Sequence, residues 1–395
     1  MESDNKLFLL DAYALIYRAY YAFIKNPRIN SKGFNTSAIL GFVNTLEEVL
    51  KKENPSHIGV AFDPSGPTFR HEAFEQYKAQ REETPEAIRL SVPIIKDIIH
   101  AYRIPILEVA GYEADDVIGT LATEAGRQGI TTYMMTPDKD YGQLVTDNVF
   151  MYRPKHTGGF EVMGIEEVKA KFDIQSPAQV IDMLGLMGDA SDNIPGCPGV
   201  GEKTAQKLIA EFGSIENLLE HTDQLKGALK TKVETNKELI TFSKFLATIK
   251  IDVPIQLEMD KLVREQADED SLRQIFEELE FRTLIDRVLK KENSAGGVTM
   301  ATGSKTATAK SAPSPLPLFP EEGGAIQGDL FANFTGNEAG EAKKSNLETL
   351  ETLNCDYQLI DTEKKRAEII QKLLTSKILS LDTETTGTEP MDAEL

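Results

Sequence analysis

The chain lacks any long apolar run, has almost no cysteine and is short of basic residues. Nowhere do its apolar residues approach the ~18 in succession that a membrane-spanning helix needs. Its start, Met1-Glu2-Ser3-Asp4-Asn5-Lys6, is polar, and the apolar stretch behind it breaks at Asp11, so no secretory signal is expected. The two cysteines, Cys197 and Cys355, lie far apart. That suits a reduced cytosol and leaves no disulfide framework or zinc cage. Lys and Arg number 43 against 63 Asp and Glu, a formal net charge of −20. Taken at face value, this opposes a nucleic-acid partner. The objection fails if the acids are gathered around metal ions, so their placement matters more than their number.

What is present is ordinary for a globular protein, with 41% hydrophobic and 27% charged residues. Wholesale disorder and a collagen pattern are thereby excluded. A length of 395 residues suggests two or three domains. Through residues 1–165, short apolar runs alternate with amphipathic stretches. Leu7-Phe8-Leu9-Leu10 ends in Asp11, Ile58-Gly59-Val60-Ala61-Phe62 ends in Asp63, and Thr131–Met135 runs into Thr136-Pro137-Asp138. Between them Ala114, Val117, Ile118, Leu121, Ala122 and Ala125 recur at the helix period over 113–127. Alternating strands and helices predict a mainly parallel sheet covered on both faces, with a strand pair at 149–163 around Gly158-Gly159. Residues 166–292 lose the strand signal. Helices are expected at 177–187, 202–212, 215–221, 236–247 and 271–290, forming an all-helical subdomain. Residues 293–345, rich in Gly, Ala, Ser, Thr and Pro, read as a disordered linker. From 346 to 395 a helix at 362–374 between strands at 357–360 and 378–381 begins another α/β domain. Too little chain follows to complete it, so a truncated chain is expected.

The acids fall into five clusters: Asp11; Asp63; Glu113 with Asp115 and Asp116; Asp138 with Asp140; and Asp189 with Asp192. Three are delivered at or just beyond the carboxyl ends of predicted strands, the edge where sites form in open α/β sheets. One such Asp is usually a cap or a turn former. Glu113, Asp115 and Asp116 alone would simply complement a helix dipole. Five clusters on one edge would repel strongly unless cations neutralise them. An all-carboxylate set without His or Cys suits Mg²⁺, or Mn²⁺ in its place, rather than zinc. Two such ions ~3.5–4 Å apart suit in-line displacement at phosphorus, which points to phosphodiester hydrolysis.

A second feature is Pro195-Gly196-Cys197-Pro198-Gly199-Val200-Gly201-Glu202-Lys203-Thr204-Ala205, where glycines precede an amphipathic helix. Gly199 and Gly201 permit close approach of the backbone, and amides at the helix start can face a phosphate. Such a hairpin grips a DNA backbone without reading sequence. It lacks the spacing of a P-loop. Arg70, Tyr77, Lys78 and Arg81 sit between a strand and a helix. Glu72, Glu75, Glu82 and Glu83 around them suggest a solvated face. Beside a metal centre, however, such cations would stabilise charge developing on a phosphate. Tyr17 and Arg18, after the first strand, are further candidates for that task.

Together, Leu10-Asp11-Ala12-Tyr13 through Tyr17-Arg18, Ala61-Phe62-Asp63, Phe69-Arg70-His71, Tyr77-Lys78-Ala79-Gln80-Arg81, Gly111-Tyr112-Glu113-Ala114-Asp115-Asp116, Thr136-Pro137-Asp138-Lys139-Asp140 and Gly188-Asp189-Ala190-Ser191-Asp192-Asn193 resemble the 5′-nuclease domains of bacterial DNA polymerases, a branch of the flap endonuclease superfamily. The resemblance runs in order from residue 1 to about 290. It implies a PIN-like catalytic sheet, a helical arch and a helix–hairpin–helix on duplex DNA. It also implies cleavage of 5′ flaps, nicks and RNA primers by two metal ions. In that pattern Asp11, Asp63, Glu113 and Asp115 serve one ion, and Asp138, Asp140, Asp189 and Asp192 the other. Asp116 helps through water or a shared edge, and Lys78 and Arg81 stand in the arch. Gly199, Val200 and Gly201, with Lys203 and Thr204, meet DNA and surround a K⁺ ion. Asp382-Thr383-Glu384 resembles the first motif of a 3′–5′ exonuclease domain. Gln327-Gly328-Asp329-Leu330-Phe331 resembles a sliding-clamp docking peptide, and a chance match is an equal alternative. The implied protein is a monomer in the bacterial cytoplasm, at the nucleoid.

Rival readings fit less of the chain. A catalytically silent DNA-binding module predicts gaps in the carboxylate set, and the set has none. A PIN-type ribonuclease leaves the hairpin and arch segment without a role. An aspartyl phosphatase wants Asp-x-Asp after the first strand, where Tyr13 takes the second place.

Overall fold

The computed structural model describes residues 5–155, 159–289 and 362–375. Six strands form one sheet: β1 (Lys6–Asp11), β2 (His57–Ala61), β3 (Ile106–Leu107), β4 (Thr131–Met135), β5 (Val149–Pro154) and β6 (Phe160–Met163). Their order is β3-β2-β1-β4-β5-β6, parallel through β5, with β6 antiparallel at the edge. β1 is central, and its alternate residues feed two cores. Leu7 and Leu9 enter one, Phe8 and Leu10 the other, and all four are fully buried. A parallel strand covered on both faces must be apolar throughout, which is why these runs do not alternate with polar residues.

The helices before β6 are α1 (Ala12–Ala22), α2 (Ser37–Lys52), α3 (Phe69–Ala73), α4 (Glu86–Ala101) and α5 (Ala114–Arg127). α1, α2 and α4 cover one face of the sheet and α5 the other. After β6 the described chain up to residue 289 is helical: α6 (Ile165–Phe172), α7 (Gln179–Met187), α8 (Glu202–Phe212), α9 (Ile215–Glu220), α10 (Gly227–Thr235), α11 (Lys237–Ala247), α12 (Met259–Leu262), α13 (Glu269–Glu278) and α14 (Arg282–Val288). Among the described residues no helix is long and apolar enough to cross a membrane. In a second unit, α15 (Glu363–Thr375) matches the helix expected at 362–374.

The order in which strands are added reverses at β1: β2 and β3 lie to one side of it, and β4 and β5 to the other. Beyond the carboxyl ends of neighbouring strands at such a switch point the connections diverge and leave a crevice. Asp11 ends β1, Asp63 follows β2 and Asp138 follows β4, so the topology itself brings these acids to one place.

One helix differs from expectation. The segment 271–290 is not continuous but breaks at Glu280, whose φ is +64°. There the Phe281 amide turns back to the Phe276 carbonyl at 2.8 Å, and the Phe276 and Phe281 rings meet at 6.2 Å. Burying both aromatics stabilises this turn against the cost of a left-handed residue. The expected linker, the strands at 357–360 and 378–381, Gln327, Leu330, Phe331, Asp382 and Glu384 lie outside the described residues.

The packing of α1 on α2 yields a test. A Cβ at Gly41 would lie 2.6 Å from the Ala19 Cβ and 3.1 Å from its Cα. Helix propensity alone favours Gly41→Ala by ~1 kcal/mol. No flexible chain end can yield at this contact, so overpacking, ~1–3 kcal/mol, should win. Urea denaturation should show a net loss of roughly 1 kcal/mol. A gain would mean that the two helices part freely.

Candidate metal and phosphate site

Each carboxylate is held by its local fold. Asp11 caps α1, its Oδ1 accepting from the Ala14 amide at 3.1 Å. Its Oδ2 accepts from Tyr141 Oη at 3.1 Å and Thr136 Oγ1 at 3.3 Å. Asp63 accepts from the Ala114 amide at 2.7 Å, which ties the end of β2 to the start of α5. Glu113 is the N-cap of α5, and Asp115 and Asp116 occupy its first turn. One oxygen from each of those three lies within 4.8 Å of the others. Asp138 caps the short 3₁₀ helix Lys139–Leu144, accepting from the Asp140 amide at 2.9 Å. Asp189 accepts from Ser191 N at 2.7 Å in the turn after α7.

The clusters are in electrostatic contact. Asp63 and Asp138 both act on Asp11, and Asp189 and Asp192 both act on Asp138 and Asp140. Asp11 is pushed up to about 7, first by burial and then by Asp63. Asp115 is raised well above the ordinary carboxylate range by burial and the Asp116 charge, and Asp140 by burial and the Asp138 charge. Asp140 Oδ1 is buried and accepts no hydrogen bond. An orphaned buried carboxylate oxygen among mutually repelling acids is what a cation site leaves when the cation is removed.

Four cations counter the acids, and they divide by position. Arg70 is 1% exposed and lies beneath the cluster. Its NH1 donates to Glu113 Oε2 at 2.9 Å and Asp116 Oδ2 at 2.8 Å, and its NH2 donates to Asp116 Oδ1 at 2.8 Å. It also donates to the Leu246 and Thr248 carbonyls. Every donor direction is engaged inside the protein, so Arg70 does not face a phosphate as the sequence suggests; it positions the acids from behind. Asp116 is likewise 0% exposed. Both its oxygens are taken by Arg70, with the Glu113 and Lys250 amides as further donors. Its link to the other acids therefore runs through Arg70 and Glu113.

Lys78 and Arg81 stand on the solvent side. Lys78 Nζ lies 2.6 Å from Glu113 Oε1 and 3.6 Å from Asp192 Oδ2, and Arg81 lies 2.5 Å from Asp192 Oδ1. Burial works to raise Asp192, but these two charges override it and hold it at about 2. Glu113 is lowered in the same way by Lys78 and Arg70 against its burial. Tyr77, left unassigned by the sequence, bridges the same acids: its hydroxyl contacts Glu113 Oε2 at 2.9 Å and Asp192 Oδ2 at 3.1 Å. Lys139 pairs with Asp189 at 2.6 Å. From Phe74 to Pro85 the segment expected to arch is turns and irregular backbone, not helix, with residues 76–80 laid on the 189–193 loop. The Lys78 amide donates to Asp192 O, Gln80 to Ala190 O and Asn193 to Gln76 O. Tyr17 fastens the far end of this segment at Thr84, 2.9 Å away, and Arg18 donates to the Lys155 carbonyl. Neither touches the acids in these contacts.

At the hairpin Gly199 has φ +77°, Val200 is buried and Gly201 caps α8. A Cβ at Gly201 would meet nothing within 4 Å, and its φ of −101° is ordinary. The protein's own packing thus makes no demand for glycine there, and the bare backbone faces outward. Lys203 is exposed on the first turn, and Thr204 N bonds back to Gly201 O. Thr136, Tyr141 and Lys139 carry no sequence signal beyond proximity to the Asp138–Asp140 pair.

Residues 6–173 match the family described as 5′-3′ exonuclease, N-terminal resolvase-like domain, and residues 175–270 match its C-terminal SAM fold. DNA polymerase I of Bacillus caldotenax is 40% identical over 287 residues, covering 72% of this chain and 32% of that one. DNA polymerase I of Bacillus subtilis (strain 168) is 43% identical over 291 residues, covering 73% and 33%. The chain therefore spans about a third of the length of the curated relatives it matches. Among solved structures, a zinc-bound T5 5′-exonuclease superposes with a TM-score of 0.52 at 22% identity, over 70% of this chain and 98% of that one. A T5 D15 flap endonuclease in complex with DNA and metal ions gives 0.51 at 23%, over 70% and 99%. At these identities the structures speak to the fold.

The Asp11 shift predicts a pH dependence of the metal-free chain. Unfolded, this carboxyl ionises near 3.8; folded, near 7. Between those values the folded chain keeps a proton that the unfolded chain has released. Stability therefore falls as pH rises through that window and is level above it, with a contribution of at most roughly 4 kcal/mol. Asp11→Asn removes the dependence. In EDTA it should melt above the parent at pH 8, with the gap closing near pH 3.5. Equal melting at pH 8 rejects the assignment.

Proposed function

Because the chain belongs to the 5′-3′ exonuclease family, we propose that it is a structure-specific 5′ nuclease that hydrolyses phosphodiesters at 5′ flaps, nicks and RNA primers on duplex DNA, in replication and repair. The observation that carries the reading is the crowd of carboxylates at the sheet's switch point, with Asp140 Oδ1 buried and unpaired. The donor set is all oxygen and fits two Mg²⁺ ions, with Mn²⁺ as a substitute. Asp11, Asp63, Glu113 and Asp115 would hold one, and Asp138, Asp140, Asp189 and Asp192 the other. Bound there, such ions lower the pKa of water and stabilise charge on phosphoryl oxygens.

The protein's own residues do the rest. Arg70 and Asp116 fix the direction of Glu113 from behind. Lys78 and Arg81, on the open side of the same acids, place positive charge against a reacting phosphate. Gly199, Val200 and Gly201, with Lys203 and Thr204, hold a duplex phosphate through backbone amides, with a K⁺ ion at the hairpin carbonyls. Tyr17 steadies the arch segment through Thr84, and Arg18 steadies the strand end at Lys155. The catalytic part would be 1–165 and the DNA-gripping part 166–292. For the whole protein the corresponding reading is a bacterial cytoplasmic DNA polymerase I, acting as a monomer. Gln327, Leu330 and Phe331 would dock it on a sliding clamp, and Asp382 and Glu384 would open its 3′–5′ exonuclease.

The test is a 5′-labelled flap with Mg²⁺, Ca²⁺ or EDTA, read for cleavage and product length. Mg²⁺ should support cutting. Ca²⁺ should support binding with little cutting, because its longer, looser coordination misplaces the reacting groups. Asp140→Ala should abolish cleavage while flap binding survives. Lys78→Ala should lower the single-turnover rate ~10²–10³-fold, the scale of a lost charge-stabilising donor. Full turnover by Asp140→Ala sinks the metal assignment, and an effect of Lys78→Ala on affinity alone makes Lys78 an ordinary phosphate contact.

A further inference from the structure

Gln143 lies on the 3₁₀ helix that carries Asp140, and its amide is satisfied on both sides. Nε2 donates to the Asp140 carbonyl at 3.0 Å and to the Ala247 carbonyl at 3.1 Å. Oε1 accepts from the Ile249 amide at 2.9 Å. One side chain thus ties the loop of the second carboxylate set to the end of α11. Arg70 grips the same end through the Leu246 and Thr248 carbonyls, at 2.9 and 2.8 Å.

One turn earlier on α11, fully buried Ser243 accepts from the Gly196 amide at 3.0 Å and donates to Leu239 O at 2.7 Å. Gly196 opens the hairpin that leads to Gly199 and Gly201. α11 cannot slide, because a Cβ at Gly185 on α7 would meet the Lys244 backbone at 3.1 Å, and Lys244 pairs with Asp182 at 2.6 Å. α11 is therefore packed closely enough to act as a strut. Its Ser243 turn carries the entry to the hairpin, and the next turn, at its carboxyl end, is clasped by Gln143 and Arg70.

We propose that Gln143 is a positioning residue that sets which phosphodiester is cut, by fixing through α11 the separation between the hairpin and the Asp138–Asp140 loop. The inference rests on the nuclease reading above. Ser243 and Ala247 are one helical turn apart, about 6 Å. Successive phosphates advance ~3.4 Å along a strand axis. Slack of about half that step brings the neighbouring phosphate as close to the acids as the correct one, so a strut of this stiffness is needed for a single product.

The experiment is a single-turnover digest of a 5′-labelled flap on a fixed duplex with Mg²⁺, resolved to single nucleotides, using the full chain. Gln143→Met keeps the side-chain length and deletes all three bonds; Ser243→Ala loosens the attachment of the hairpin one turn earlier. In both, the ratio of products one nucleotide off register to the main product should rise at least about 3–10-fold, the factor that losing a single such bond carries. Duplex affinity of Gln143→Met should hold. Products in the parent's proportions from both variants overturn the proposal, whether cutting is faster or slower, because a merely structural Gln143 would change rate and not register. If Gln143→Met fails to fold by thermal melting, Ser243→Ala decides alone. A parent chain that leaves the flap whole overturns the nuclease reading itself, and this inference with it.

Discussion

Repulsion among carboxylates is the constraint on which the rest of this structure depends. Asp11, Asp63 and Asp138 arrive at one crevice because β1, β2 and β4 are parallel neighbours ending there. α5 adds three acids at its start, and the turn after α7 adds two. Uncompensated, such a cluster could not form. Cations answer it from two directions. Arg70 sits beneath, with its guanidinium wholly enclosed, and Lys78, Arg81 and Lys139 sit above and beside. Removing a partner from a buried charged network leaves charge without solvent or counter-ion, which costs far more than the network's net contribution to stability.

The lower and upper cations are held in different ways. The lower one is locked by carbonyls as well as carboxylates, so it is part of the scaffold. The upper ones are held to the acids by side chains and by backbone bonds between two loops. Both loops carry a non-glycine residue in the left-handed region, Lys78 at φ +56° and Asn193 at +57°. Backbone of that kind persists only where surrounding contacts enforce it. The contacts are the Lys78 amide on Asp192 O and the Asn193 side chain on Gln76 O. Strain and charge therefore coincide on the solvent side of the site.

How much of this was legible in the sequence follows from what a periodic pattern can carry. Strands buried on both faces are continuous apolar runs, so β1, β2 and β4 and their terminal acids were plain. β3 has two residues and no pattern. The hairpin glycines were legible because tight turns demand them, as with φ +77° at Gly199. Arg70 was misplaced because the sequence tells which element a cation rides on and not which way it points. A five-residue helix has no period from which to read a face. The break at Glu280 was invisible because one left-handed residue leaves the apolar spacing of 271–290 nearly intact. Tyr141 and Gln143 were missed because their partners, Asp11, Ala247 and Ile249, lie more than a hundred residues away.

The net charge is the coarsest of the sequence readings, and the reason is physical. A count of −20 treats every carboxylate as ionised and every charge as equally visible to a partner. In the crevice neither holds. Asp11 is poised near neutral pH, and Asp115 and Asp140 are raised well above the ordinary range by burial and by one another. Glu113 and Asp192 are fully charged but face Lys78 and Arg81 at contact distance. A polyanion approaching this edge meets acids that are paired with cations or crowded against one another, and not a uniform negative wall. The field that matters decays within about 8–10 Å at ordinary salt, so distant surface acids contribute little to it. The local sign of the potential at the strand ends, and not the overall charge, is what a charged partner at this edge would meet.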